Sequence, residues 1–195
     1  QGLNSLFTNT TGLSNTSVGR NSLLSNTTGN YNTAVGRDAL NLNTTAEDNT
    51  AVGHNALLSN TGRANTAIGR NALAANTSAQ ENQAVGTWSM TTCTTGSYNT
   101  AIGYASMEDL TTGTYNVAVG HRAAADLTTG DNNVFIGRNS GYWSTPITTG
   151  NHNIHIGYAT AGSAAGVDAE MVVTVGGNGA TGKGLSLIHI SEPTR

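Results

Sequence analysis

The chain has 195 residues, 36% of them hydrophobic and 5% aromatic, with 10% charged and a formal net charge of −3. The charged fraction is far below the ~25% of average domains, yet the small net charge and the two prolines are not the composition of a disordered chain. The slightly acidic total argues against nucleic acid, the single cysteine excludes an intrachain disulfide framework, and no apolar run approaches the ~18 residues of a membrane helix, so no membrane insertion is expected.

Polarity comes from Asn, Thr and Ser, and these residues recur. An anchor of the form Asn-x-x-(Val/Ile)-Gly, with Ala usual at the third place, begins at Asn15, Asn32, Asn49, Asn65, Asn82, Asn99, Asn116, Asn133 and Asn153, in steps of 17, 17, 16, 17, 17, 17, 17 and 20. In chain order, Gly2 lies seventeen residues before Gly19, so the chain is expected to begin inside a unit. Each anchor then reads as a short strand, with Val or Ile favouring the pleat and Gly making a corner or a close approach. Thr-Thr-Gly closes most units as a second turn signal. The step of 16 comes from a missing residue in Asn60-Thr61-Gly62, and the step of 20 from an insertion around Tyr142, Trp143 and Pro146. Met171 to Val175 reads as one more strand, running into a Gly-rich stretch.

The expected organisation is therefore a repeat array over 1–160, a terminal coil and Gly-rich link over 161–184, and a foreign tail over 185–195. That tail, LSLIHISEPTR, resembles the translation of a sequencing adapter reached by a metagenomic reading frame, and it is set aside. Helical repeats need about 34 residues and leucine-rich repeats a Leu-x-x-Leu-x-Leu pattern. A unit of this length with two glycine corners instead predicts an all-β fold, a β-solenoid of about nine seventeen-residue coils stacked ~4.8 Å apart. Val18, Val35, Val52, Ile68, Val85, Ile102, Val119, Ile136 and Ile156 form one column, and Leu23, Leu40, Leu57, Leu73, Met90, Met107 and Ala124 another. Both are expected in the core.

Two polar columns are candidates for more than packing. The nine anchor asparagines are expected to form a ladder of stacked amides, with ligand contact as the alternative. The sixth position of the unit holds Arg20, Arg37, His54, Arg70, Thr87, Tyr104, His121, Arg138 and Tyr158. Facing outward, this is either a contact stripe for a cell-surface glycan or a solvated edge that discourages aggregation. Cys93 reads as a half-buried, inert thiol. Trp88 and Trp143 read as covers of core edges, with Tyr142-Trp143 the place for a grafted contact.

Signatures of catalysis and metal binding are missing. His152 and His155 sit three apart and would face opposite ways on a strand, while His54, His121 and His189 are scattered. No Gly-Gly-x-Gly-x-Asp calcium motif, Gly-x-Ser-x-Gly elbow or His-Glu-x-x-His is present. Gly177 to Lys183 nearly matches a phosphate loop, but Gly184 stands where Ser or Thr should hold magnesium. The expectation is a protein with no catalytic residues, no metal and no cofactor.

The units NTAVGRDALNLNTT, NTAIGRNALAANTS and NTAIGYASMEDLTTG resemble repeats of phage tail fibres and bacterial surface adhesins, over about residues 1–184. In those families such arrays often lead into an intramolecular chaperone domain of the endosialidase type. A looser similarity is to the trimeric heads of YadA-type adhesins, whose unit is shorter. The resemblance implies a homotrimer, a place on a virion or at the cell surface, and a structural stalk supporting host or surface attachment. Two other functions are weighed beside it: an ice-binding solenoid with threonine columns, and a polysaccharide-active solenoid enzyme, which would need clustered carboxylates that the array lacks.

Overall fold

The computed structural model describes residues 2–142 and 146–174. Trp143, the phosphate-loop look-alike, His189 and the 185–195 tail lie outside them. Ten three-residue strands follow one another: β1 (Thr16–Val18), β2 (Thr33–Val35), β3 (Thr50–Val52), β4 (Thr66–Ile68), β5 (Gln83–Val85), β6 (Thr100–Ile102), β7 (Val117–Val119), β8 (Val134–Ile136), β9 (Ile154–Ile156) and β10 (Met171–Val173). They form one parallel sheet in sequence order. Equivalent residues pair, so Thr33 meets Thr50, Ala34 meets Ala51 and Val35 meets Val52. No helix occurs among the described residues. The chain is a β-solenoid of about nine turns in which one repeat makes one coil.

Hydrogen bonds climb the rod outside the strands as well. Leu40 N–H donates to Ala56 C=O at 3.0 Å, and Thr27 N–H to Thr44 C=O at 2.8 Å. The two sequence irregularities are absorbed in the turns: β3 still pairs with β4 across the short step, and β8 with β9 across the long one.

The sheet corrects the expected core. In a strand, neighbours face opposite ways, and here the central residue points inward. Ala34, Ala51, Ala67, Ala84, Ala101 and Ala118 are fully buried, whereas Val18 is 49% exposed and Ile102 42%. The Val/Ile column therefore lies on the outer face of the sheet, beside the column begun by Thr16 and Thr33. From β2 to β7 the interior is thin, and a small residue fills the space between the sheet and the opposite wall. That wall is the Leu column, which is buried as expected from Leu23 to Ala124.

The last three strands depart from this pattern, with Phe135, His155 and Val172 at the inward place, and β8 shows how the change is compensated. β8 carries Phe135 where Ala is usual, fully buried. The opposing Leu column shrinks to Ala124 and then Gly141, and a Cβ on Gly141 would lie 2.3 Å from the Phe135 ring. Large and small have changed places across the core with its volume kept.

The corners are set by backbone crowding. Gly36 has φ 138°, and a Cβ there would stand 2.4 Å from the carbonyl oxygen of Gly53 in the next coil. Each repeat also bends through left-handed residues that are not glycine, such as Asp38 (φ 58°), Leu40 (φ 49°) and Asp48 (φ 60°). A non-Gly residue in that region costs on the order of 1 kcal/mol or more. The cost is offset because Leu40 is fully buried there and its N–H joins the ladder.

Candidate functional site

The anchor asparagines sit at the entry to each strand, and all but Asn15 are fully buried. Each clamps its coil to the next in the same way. Asn32 Oδ1 accepts the backbone N–H of Asn49 at 3.1 Å, while its Nδ2 donates to Ala46 C=O at 2.9 Å. The same pair of bonds runs from Asn15, whose Oδ1 accepts Asn32 N–H at 2.9 Å, to Asn153, whose Oδ1 accepts Glu170 N–H at 2.9 Å. Asn49, Asn65, Asn82, Asn99, Asn116 and Asn133 repeat it between these ends. The amides are consumed in joining coils, so they offer no group to a ligand.

A second amide ladder occupies the column of Cys93, Asn26 and Asn43, whose hydrogen bonding the sequence did not mark. Asn26 Nδ2 donates to Asn9 Oδ1 at 2.9 Å, Asn43 Nδ2 to Asn26 Oδ1 at 3.0 Å and Asn60 Nδ2 to Asn43 Oδ1 at 3.2 Å; Asn76 continues the column onto Asn60. It then stops at Cys93 and becomes Leu110, Leu127 and Ile147, all fully buried. The repeated Asn-Thr-Thr was the available signal, but it read as a turn. Burial pushes the Cys93 thiol up to about 12, and Sγ lies 3.3 Å from Gly96 C=O, so a neutral, inert thiol fills the place.

The sixth-position residues line the edge just past the glycine corner. Arg20, Arg37, Arg70, Tyr104, His121, Arg138 and Tyr158 are exposed, with His54 and Thr87 half-buried. Their side chains stack along the rod. The Tyr104 and His121 rings lie 5.1 Å apart and nearly parallel, Trp88 meets Tyr104 edge-on at 5.4 Å, and Arg70 lies over Trp88 at 5.7 Å. Arg138 lies over Tyr158 at 5.5 Å and Arg122 over Tyr142 at 4.5 Å. Arg37 Nε donates to Asp38 Oδ2 at 2.9 Å. Burial raises the Asp38 carboxyl, but bonds from Arg37, Asn21 and Asn41 outweigh it and hold it below its ordinary value.

Asp126 is raised by burial first and by the charge of Asp109 next, with Arg122 opposing. At the last coils, His155 replaces the buried Ala of β9 while His152 is exposed. Burial pushes His155 down to about 4, against the opposing pull of Glu170, whose Oε2 is 3.7 Å from Nε2. No group of three or more metal-capable side chains exists among the described residues, nor is any helix there long and apolar enough to cross a membrane. Beside the short step an open notch is lined by Thr61 and Gly62 together with Glu47, Arg63 and Gln80.

No family model, curated protein or solved structure matches the chain.

Proposed function

We propose that this solenoid is a structural stalk segment of a phage tail fibre or bacterial surface adhesin, in which three copies pack the outer faces of their sheets together. One observation carries the reading: the exposed Val/Ile column. Val18, Ile68, Ile102, Ile136 and Ile156 stand on one flat face, each at least 37% exposed. Ten strands at ~4.8 Å make that apolar strip about 45 Å long. A monomer rarely leaves a continuous apolar strip of such length in water. The thin private core and the coil-to-coil amide clamps suit a stiff spacer whose remaining apolar surface is shared between chains. The number three comes from the resemblance to trimeric fibres and adhesin heads, as does the place on a virion or cell surface.

The mass of the full chain in solution, by light scattering, tests the association. The expected result is a trimer that Ile68→Asp with Ile102→Asp converts to monomers of unchanged β content. A wild-type monomer with full β content would overturn the shared face.

A second reading has one observation in its favour. Thr33, Thr50, Thr66 and Thr100 share the outer face with the Val/Ile column, two residues away along each strand, as an ice-binding face would require. Gln83, Val117, Val134, Ile154 and Met171 interrupt that column, which favours contact between copies over ice. The turn threonines do not serve either: Thr27 Oγ1 donates to Thr44 C=O at 3.0 Å, and its equivalents do likewise up the rod. Thermal hysteresis in a solution of the protein would reverse the preference.

A further inference from the structure

Charge is distributed unevenly around the coil. Among the described residues there are six arginines and no lysine. Arg20, Arg37, Arg70 and Arg138 share the sixth-position column and Arg122 stands beside it, leaving only Arg63 elsewhere. Of the ten described carboxylates, only Asp38 lies in these two columns. A chain of net charge −3 thus gathers five of its six described arginines along one edge, where Asp38 pairs with Arg37 and Asp126 lies within the field of Arg122. Seven coil steps separate Arg20 from Arg138, about 34 Å at ~4.8 Å per coil. Between the arginines the same line presents Tyr104 and His121, with His54 and Thr87 half-buried, and Tyr158 follows Arg138.

We infer that this edge binds a linear anionic polysaccharide lying parallel to the rod, with the arginines facing its carboxylate or sulfate groups. Fixed cations in a row hold a polyanion along its length, and the guanidinium fork matches carboxylate and sulfate oxygens. Tyr104 and Tyr158, exposed on the same line, offer hydroxyls to those of the sugar. A saccharide fits better than a single-stranded nucleic acid, which needs open aromatic faces for its bases. Here the Tyr104 and His121 faces cover each other and Arg70 covers Trp88. A neutral glycan stacking on rings is disfavoured for the same reason. The inference does not rest on the association of copies, because the binding is read on the chain in whatever assembly it forms.

The test is calorimetric titration of the full chain with a heparin-derived oligosaccharide, a dextran oligosaccharide of similar length and an oligo(dT), at low and at physiological ionic strength. Heparin binding that weakens with salt is expected, with no binding of dextran and weaker binding of oligo(dT). The combined variant R20Q/R37Q/R70Q/R138Q, whose four side chains are exposed, should keep the wild-type thermal midpoint and lose about tenfold or more in affinity. The corresponding four-lysine variant should retain most of it, and Arg63→Gln all of it. No heparin binding at low salt, an equal loss from Arg63→Gln, or oligo(dT) bound as tightly as heparin would each overturn the inference.

Discussion

The two halves of the rod share a backbone and differ in one interior column. In the first half Asn26, Asn43, Asn60 and Asn76 form an amide ladder; in the second, Cys93, Leu110, Leu127 and Ile147 form an apolar spine. The anchor ladder runs unchanged through both. In the first half Ala46 C=O accepts Asn32 Nδ2 at 2.9 Å and Asn43 Nδ2 at 3.1 Å. In the second, the equivalent Gly113 C=O accepts from Asn99 Nδ2 at 2.8 Å. A carbonyl has two lone pairs, so the second amide adds to a group already satisfied. The anchor amide is therefore the structural requirement, and the second column can be polar or apolar provided it is consistent with its neighbours above and below.

The largest expected effect belongs to the second half alone. Phe135 fills space that Leu side chains fill elsewhere, and its neighbours Ala124 and Gly141 cannot grow to replace it. Phe135→Ala should cost ~3–5 kcal/mol, at or above the ~2–5 of Leu57→Ala in the first half. Denaturant unfolding of both variants checks this, and a loss below ~1.5 kcal/mol for Phe135→Ala would mean that the core around β8 relaxes freely.

Next in size is a break in the second ladder. Asn43→Leu leaves Asn26 Oδ1 without its donor, while Asn60 Nδ2 keeps Gly62 C=O at 2.7 Å. The expected cost is ~1–3 kcal/mol, that of one buried group left unsatisfied. Replacing Asn26, Asn43, Asn60 and Asn76 together by Leu should cost well under the sum of the four single changes. Additive losses would show that the two halves are not alternative solutions of one frame.

Acid should separate the halves more gently. No buried side chain of the first half titrates, whereas His155 is held neutral near the other end. Its folded pKa of about 4 lies below the usual 6.5. Between these values the unfolded chain binds a proton that the folded chain refuses, so stability is full above the upper value and falls as pH drops toward the lower. The nearby Glu170 carboxylate opposes the loss. Hydrogen exchange at pH 5 against pH 7 should show β9 and β10 opening faster while β2 to β4 hold, and uniform loosening would remove His155 as the cause.

The coil length, the corner glycines, the buried Leu column and the anchor asparagines were legible in the sequence, because a stacked fold writes each contact at a fixed period. The facing of Val and Ile was not. Hydrophobicity and branching assign them to a core, but in a three-residue strand only the central residue points in, and the column of Ala between Thr and Val carried that information. Leu40 and its equivalents at φ near 49° had no signal at all, since leucine does not mark a left-handed turn. The exchange of Phe135 against Ala124 and Gly141 became readable only once the coils were in register. The candidate edge was legible as a column, but its stacked rings and the segregation of charge around the coil needed the third dimension.

The smallest expected effect tests the boundary between the halves. Cys93→Asn would extend the second ladder by one step. The new Nδ2 would find Asn76 Oδ1 below and Gly96 C=O beside it, which the Cys93 thiol already touches at 3.3 Å. Its own oxygen would face Leu110, with no donor. One gained hydrogen bond of ~1 kcal/mol against one unmet acceptor of ~1–3 leaves a net loss of about 1 kcal/mol. Adding Leu110→Asn supplies a donor to that oxygen and moves the unmet acceptor up one coil. The double variant should then cost less than the sum of the two single changes, with a coupling of ~0.5–1 kcal/mol in a double-mutant cycle. A coupling near zero would mean that Cys93 is an isolated substitution and that the ladder does not transmit its pattern from coil to coil.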